Sequence, residues 1–333
     1  MGKLGTTEAS AKLGDAEIRF EAGRLADQAG GAVVAHLGET ILLVTSTASS
    51  RPKEHLDFFP LTVDYEEKMY AAGKIPGGFF KREGRPSENA ILTCRLVDRP
   101  MRPTFDNGLR NEIQILITTL SADQVHTPDV LAINGASMAT MLSGIPFDGP
   151  VAGIRLGMDR DGRWHPFPTF GFLEDEAVFD LVVAGRLNPS SGEIDILMVE
   201  AEETAGAVGK IEVGATKPTE EVIGAALDEA KGYLKSLCDL QLELAERAGR
   251  RDAADYKLFP AYDPQVYSTV ERSAAERLRE VLADGNLAKT DRKSPTCVRP
   301  RSTRCSTTSA SCRSATRSSS AKRRTPSARW RRS

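Results

Sequence analysis

The composition breaks at residue 291, and that break decides where a fold can lie. Residues 291–333 hold eleven arginines, eleven serines and two lysines against a single aspartate, with almost no leucine, isoleucine or phenylalanine. Such a segment cannot bury enough apolar surface to offset the entropy of ordering it, so a disordered basic tail is expected there. Residues 1–290 carry 31 basic and 45 acidic side chains, so the net charge of −2 conceals an acidic body and a basic tail. The tail reads either as a nucleic-acid-binding extension or as a shifted reading frame of GC-rich coding DNA, which tends to yield Arg, Ser, Thr, Pro, Ala and Cys. The second is the preferred expectation.

Residues 17–46 read as strands. The β-branched, apolar stretches 32–36 and 40–46 are separated by Leu37-Gly38-Glu39, a hairpin signal. Residues 61–65 form another strand, and 71–85, with four glycines and a proline, a loop. Ser87 is placed to cap a helix that opens at Pro86-Ser87-Glu88. Further strands are expected at 112–119, 151–156, 178–184 and 193–199, with a small-residue helix at 128–142 between them. Strands arriving mostly in adjacent pairs among helices imply an α+β domain over residues 1–215. Apolar residues recur at three- and four-residue steps over 220–249, with Gly249 as C-cap, and 267–282 is amphipathic. These two segments suggest a small all-helical domain over residues 216–290, before the tail at 291–333.

No apolar run approaches the roughly 20 residues that cross a bilayer, and residues 1–10 lack the apolar core of a secretory signal, so a cytoplasmic location without membrane contact is expected. Cys94, Cys238, Cys297, Cys305 and Cys312 form no C-x-x-C pair, and His36, His55, His126 and His165 show no ligand spacing. A disulfide framework or bound structural metal is therefore not expected.

The chemistry concentrates in residues 58–102. Phe79 and Phe80 are adjacent flat faces on which bases can stack, and Lys81, Arg82 and Arg85 beside them can neutralise phosphates. Arg95, Arg99 and Arg102 recur at steps of four and three, which puts three guanidinium groups on one helical face next to Asp98. The plainer alternatives are a surface turn with two buried phenylalanines and a solvated, salt-bridged helix.

The run YAAGKIPGGFFKREGRPSE, then RLVDRPMRP, closely resembles the first ribonuclease PH-type core of bacterial polynucleotide phosphorylases. The similarity continues through NGASMATMLSGIPFDGPVAGIRLG at 134–157 and DLVVAG…ILMVEAE at 180–202, and more loosely to about residue 290. The resemblance implies a ribonuclease PH-type core (ribosomal-protein-S5-domain-2-like) followed by the family's helical domain. It also implies processive 3′-to-5′ phosphorolysis of single-stranded RNA to nucleoside diphosphates, with Mg2+ and inorganic phosphate, in a homotrimeric ring that can join RNA-degradation complexes. The family's Phe-Phe-Arg-Arg loop, which grips RNA at the ring entrance, corresponds to Phe79, Phe80, Lys81 and Arg82. Lysine at 81 keeps the charge and loses the planar fork.

The resemblance also carries a departure. The family's chemistry belongs to a second core, marked by two aspartates and a lysine near a strand and by a serine cluster. Here Asp180 is present with Glu174 six residues earlier, but Val182 stands where the lysine would be, and Gly135-Ala136-Ser137 keeps one hydroxyl. No catalytic or metal-binding residue is expected in this core. The 333-residue chain is expected to grip RNA, to help form the ring, and to be inactive alone. A stand-alone RNA-binding or scaffold module is the alternative, and a complete ribonuclease PH-like enzyme is disfavoured by Val182.

Overall fold

A computed structural model describes residues 5–79, 81–249, 255–260 and 262–283. The chain divides into two compact units, Met1–Ala261 and Tyr262–Ser333.

The first unit opens with four antiparallel strands: β1 (Thr7–Leu13), β2 (Ala16–Ala22), β3 (Gly31–Leu37) and β4 (Thr40–Ala48). Strand β5 (Leu61–Glu66), helix α1 (Glu88–Met101) and strand β6 (Ile113–Ser121) follow. Because β6 pairs antiparallel with β4 and parallel with β5, the sheet runs β1-β2-β3-β4-β6-β5. Helix α2 (Pro128–Ser143) leads into β7 (Val151–Met158), β8 (Trp164–Pro166), β9 (Phe179–Leu187) and β10 (Ile194–Glu203). These form an antiparallel sheet in the order β10-β9-β7-β8. A short helix α3 (Ala207–Glu212) and the long α4 (Glu220–Ala248) complete the unit's regular elements.

Helix α2 packs on β3 and β4 and also on β7, and every residue from Val130 to Leu142 is buried. A helix covered on all sides must be apolar or internally satisfied all round. Its small residues let both sheets come close. A Cβ on Gly135 would lie 2.7 Å from Val44 Cγ2, and one on Gly153 of β7 would lie 2.9 Å from Ile133 Cδ1. Its polar groups are answered internally: Asn134 Nδ2 donates to Gly153 O at 2.7 Å, and Thr140 Oγ1 to Ala136 O at 2.8 Å.

The domain boundary expected at residue 215 is corrected by α4. Its buried face, including Ala226, Ala230, Leu234, Leu237 and Leu244, belongs to the same hydrophobic core as the two sheets. Gln241 Nε2 donates to Val151 O at 2.9 Å. The helix is therefore part of the α+β unit, ending at Gly249 in the left-handed region with φ 74°. The second unit carries α5 (Pro264–Ala283), an amphipathic helix as expected, with Tyr262 stacked on Tyr267 at 4.8 Å. The expected disordered tail, 291–333, lies outside the described residues. Among the described residues no helix is long and apolar enough to cross a membrane.

Candidate nucleic-acid interface

Ser87 caps α1 as its sequence suggests. Its backbone is extended, and its Oγ accepts the Ala90 N–H at 3.0 Å. Ala90, Thr93, Val97, Pro100 and Met101 are the buried face of the helix, so Arg95 and Arg99 are left exposed on the other side. Arg95, Arg99 and Arg102 all line one cleft of about 1810 Å3. Arg85, Lys68 and Lys74 join them there, together with Glu200 and Glu202 of β10.

The three helix arginines are not equivalent. No carboxylate among the described residues pairs with Arg95. Arg99 pairs with Glu200, joining α1 to β10 across the cleft. The guanidinium of Arg102 is consumed internally: Nε and Nη2 donate to Asp98 at 3.0 and 2.6 Å, Nη1 to Phe59 O at 3.1 Å, and Nη2 to Leu61 O at 3.3 Å. Arg102 thus ties the end of α1 to the start of β5.

The loop before α1 projects from this cleft. Lys74, Glu83, Gly84 and Arg85 line the cleft, whereas Phe79 is 93% exposed and Lys81 and Arg82 are exposed. No carboxylate among the described residues pairs with Lys81, Arg82 or Arg85. Lys81 adopts φ 51°, part of a turn in which its N–H donates to Gly78 O. Phe80 lies outside the described residues.

At the β7–β9 side of the cleft the charges are closed on themselves. Arg155 of β7 donates Nη2 to Asp129 at 2.5 Å and Nη1 to Asp180 at 2.9 Å. Burial pushes the Asp180 carboxyl up to about 6 against the pull of Arg155, and Asp129 and Glu202 add to the rise. Val182 stands directly across the strand pair from Arg155. Glu174 is exposed in a single wide helical turn, Phe172–Glu176, and is not among the residues lining the cleft, so it does not join Asp180 there. Ser137 is wholly buried, and its Oγ accepts the Val151 N–H at 2.9 Å. The remaining hydroxyl of the serine motif therefore holds the start of β7.

This arrangement does not suit a divalent cation. Both carboxylates already face a guanidinium that would repel a metal, and the neighbouring Val182 offers no ligand. No group of three metal-ligating side chains is found among the described residues. Arg155 and Asp129 escaped the reading of the sequence. One arginine in the apolar strand VAGIRLGM is the signal that marks the position.

Residues 16–146 match the 3′ exoribonuclease family, domain 1, the ribonuclease PH domain. Over 284 residues the chain is 53% identical to the polyribonucleotide nucleotidyltransferase of Saccharopolyspora erythraea, 54% to that of Mycolicibacterium smegmatis and 55% to that of Mycolicibacterium gilvum. Each match covers 84% of this chain and 37% of the relative, so the chain spans little more than a third of the length of these curated relatives. Among solved structures, rice (Oryza sativa) Rrp46 aligns with a TM-score of 0.51 at 13% identity, over 67% of this chain and 92% of that one, a likeness of fold. Two sheets about a buried helix and the domain match give this chain a ribonuclease PH-type core, and over most of its length it is similar to a part of the bacterial polyribonucleotide nucleotidyltransferases.

Proposed function

We propose that this chain supplies the RNA-holding part of a phosphorolytic 3′-to-5′ exoribonuclease and takes no direct part in the chemistry. Single-stranded RNA is held at the loop by Phe79, Phe80, Lys81, Arg82 and Arg85, and its phosphates pass Arg95 and Arg99 along the cleft. Arg102, included with these on its spacing, acts instead by holding α1 in place. The observation that carries the reading is the row of exposed cations running from the projecting loop into the cleft of an otherwise acidic body, of which Lys81, Arg82, Arg85 and Arg95 have no carboxylate partner among the described residues and Arg99 has Glu200. Exposed guanidinium and ammonium groups exchange water for phosphate at small desolvation cost, and stacking on an aromatic ring tolerates any base.

Bond breaking belongs to another core of the whole enzyme. Asp180 cannot coordinate a metal while Arg155 holds it, and Ser137 is sealed from any phosphate. In this reading Mg2+ and inorganic phosphate serve that other core, a homotrimeric ring surrounds the RNA path, and the enzyme works in the cytoplasm, alone or within an RNA-degradation complex. The alternative, a stand-alone RNA-binding module, shares the same surface and differs only in having no phosphorolytic partner core. The purified 333-residue chain, incubated with poly(A), phosphate and magnesium, is expected to release no nucleoside diphosphate. Clear release would overturn the assignment of chemistry to a different core.

A further inference from the structure

We propose that Glu83 is a positioning residue for RNA binding, the clasp that closes the neck of the projecting loop. The inference rests on the reading of that loop as the RNA grip. The outgoing limb stays on the fold through Ala71, whose O accepts the Ala122 N–H at 3.1 Å; beyond it the described residues from Gly73 to Arg82 are mostly exposed, and the chain returns at Glu83. There the Glu83 Oε1 accepts the Met69 N–H at 2.8 Å, and Oε2 lies 3.5 Å from Lys68 Nζ. Lys68 is held in turn by Glu66 at 2.9 Å, which anchors the clasp to the end of β5. A second tie lies just beyond it. Ser87 Oγ donates to Glu67 Oε2 at 2.6 Å while the same oxygen caps α1. One carboxylate therefore joins the outgoing limb to the returning one, and its neighbour joins the stem to the helix that bears Arg95 and Arg99.

The loop needs such a clasp. Gly73 and Gly78 have positive φ, and a Cβ at Gly73, Gly77 or Gly78 would meet nothing within 4 Å, so no neighbour packs against the backbone at these glycines. A glycine-rich tip without a closed neck would sample many arrangements, and RNA would have to select the one that presents Phe79 and Arg82 together. Simple electrostatics predicts the opposite sign, because removing an acidic side chain near RNA should tighten binding. That opposition makes the proposal sharp.

The test measures the affinity of the 333-residue chain for a fluorescent single-stranded oligoadenylate, with thermal unfolding and amide hydrogen exchange run in parallel. Glu83→Ala is expected to weaken binding about tenfold, to speed exchange at Met69 and through residues 73–86, and to leave the unfolding temperature nearly unchanged. Glu83→Gln keeps an oxygen for the Met69 N–H while losing the same charge, so it should restore most of the affinity. The double variant Phe79→Ala/Glu83→Ala should lose clearly less affinity than the two single losses combined, because Glu83 acts partly by presenting Phe79. Unchanged or tighter binding by Glu83→Ala, or fully additive losses in the double variant, overturns the clasp. If Phe79→Ala weakens binding and Glu83→Ala does not, the clasp fails and the RNA grip stands. If Phe79→Ala itself has no effect, the RNA grip fails and the clasp's role in binding falls with it.

Discussion

The α1 side of the cleft and its β7–β9 side carry the same kinds of charged residue in opposite states. On the first, Arg85 and Arg95 are exposed with no carboxylate partner among the described residues. On the second, Arg155 is mostly buried and shared between Asp129 and Asp180. An exposed cation costs little to hold and is available to a phosphate, whereas a buried one must be neutralised where it stands. The comparison teaches that arginine count alone does not locate an anion site. What locates it is where the protein has left the charge unanswered.

The largest expected effect lies on the closed side. Arg155→Met leaves two carboxylates partly buried without their counter-ion, and stability should fall on the order of 3 kcal/mol in urea unfolding, with RNA affinity little changed. A loss well under 1 kcal/mol, or a large drop in RNA affinity, would erase the distinction between the two sides. A smaller effect concerns pH. The Asp180 carboxyl, pushed up to about 6, takes up a proton more readily folded than unfolded. Its contribution to stability is therefore greatest below the ordinary carboxylate value, falls as pH rises from there to about 6, and is flat above. Asp180→Asn lacks this titration, so the difference in unfolding temperature, wild type minus variant, should decline between pH 4 and pH 6.5. A difference that grows with pH would show that the ion pair with Arg155 outweighs burial.

How much of this was legible depends on whether a feature is local. The cap at Ser87 and the strands around Val44, Ile115 and Val183 follow from the spacing of neighbouring residues, and they stand where that spacing puts them. Strand β1 did not announce itself, because Thr7–Leu13 is rich in alanine, serine, glutamate and lysine and is extended by virtue of pairing with β2. The apolar stripe of α4 was readable, but a stripe does not name its partner, and the expected helical domain dissolved once that stripe met β1, β7 and β9. In the site, the row Arg95, Arg99, Arg102 was visible as helical spacing. The Asp98 partner of Arg102 is four residues away and within reach of that spacing, but that Arg102 is also spent on Phe59 and Leu61 depends on contacts across more than 40 residues of sequence, which spacing cannot show.

The most direct test of the account is the affinity of the 333-residue chain for single-stranded RNA, measured across a range of salt concentrations for wild type and Phe79→Ala. The account predicts binding that weakens steeply with salt, with a log–log slope of about −0.7 for each phosphate contact. It also predicts that Phe79→Ala loses roughly 1–3 kcal/mol at every salt concentration, with the slope preserved. Affinity indifferent to salt, or a Phe79→Ala variant that binds as tightly as wild type, would contradict it.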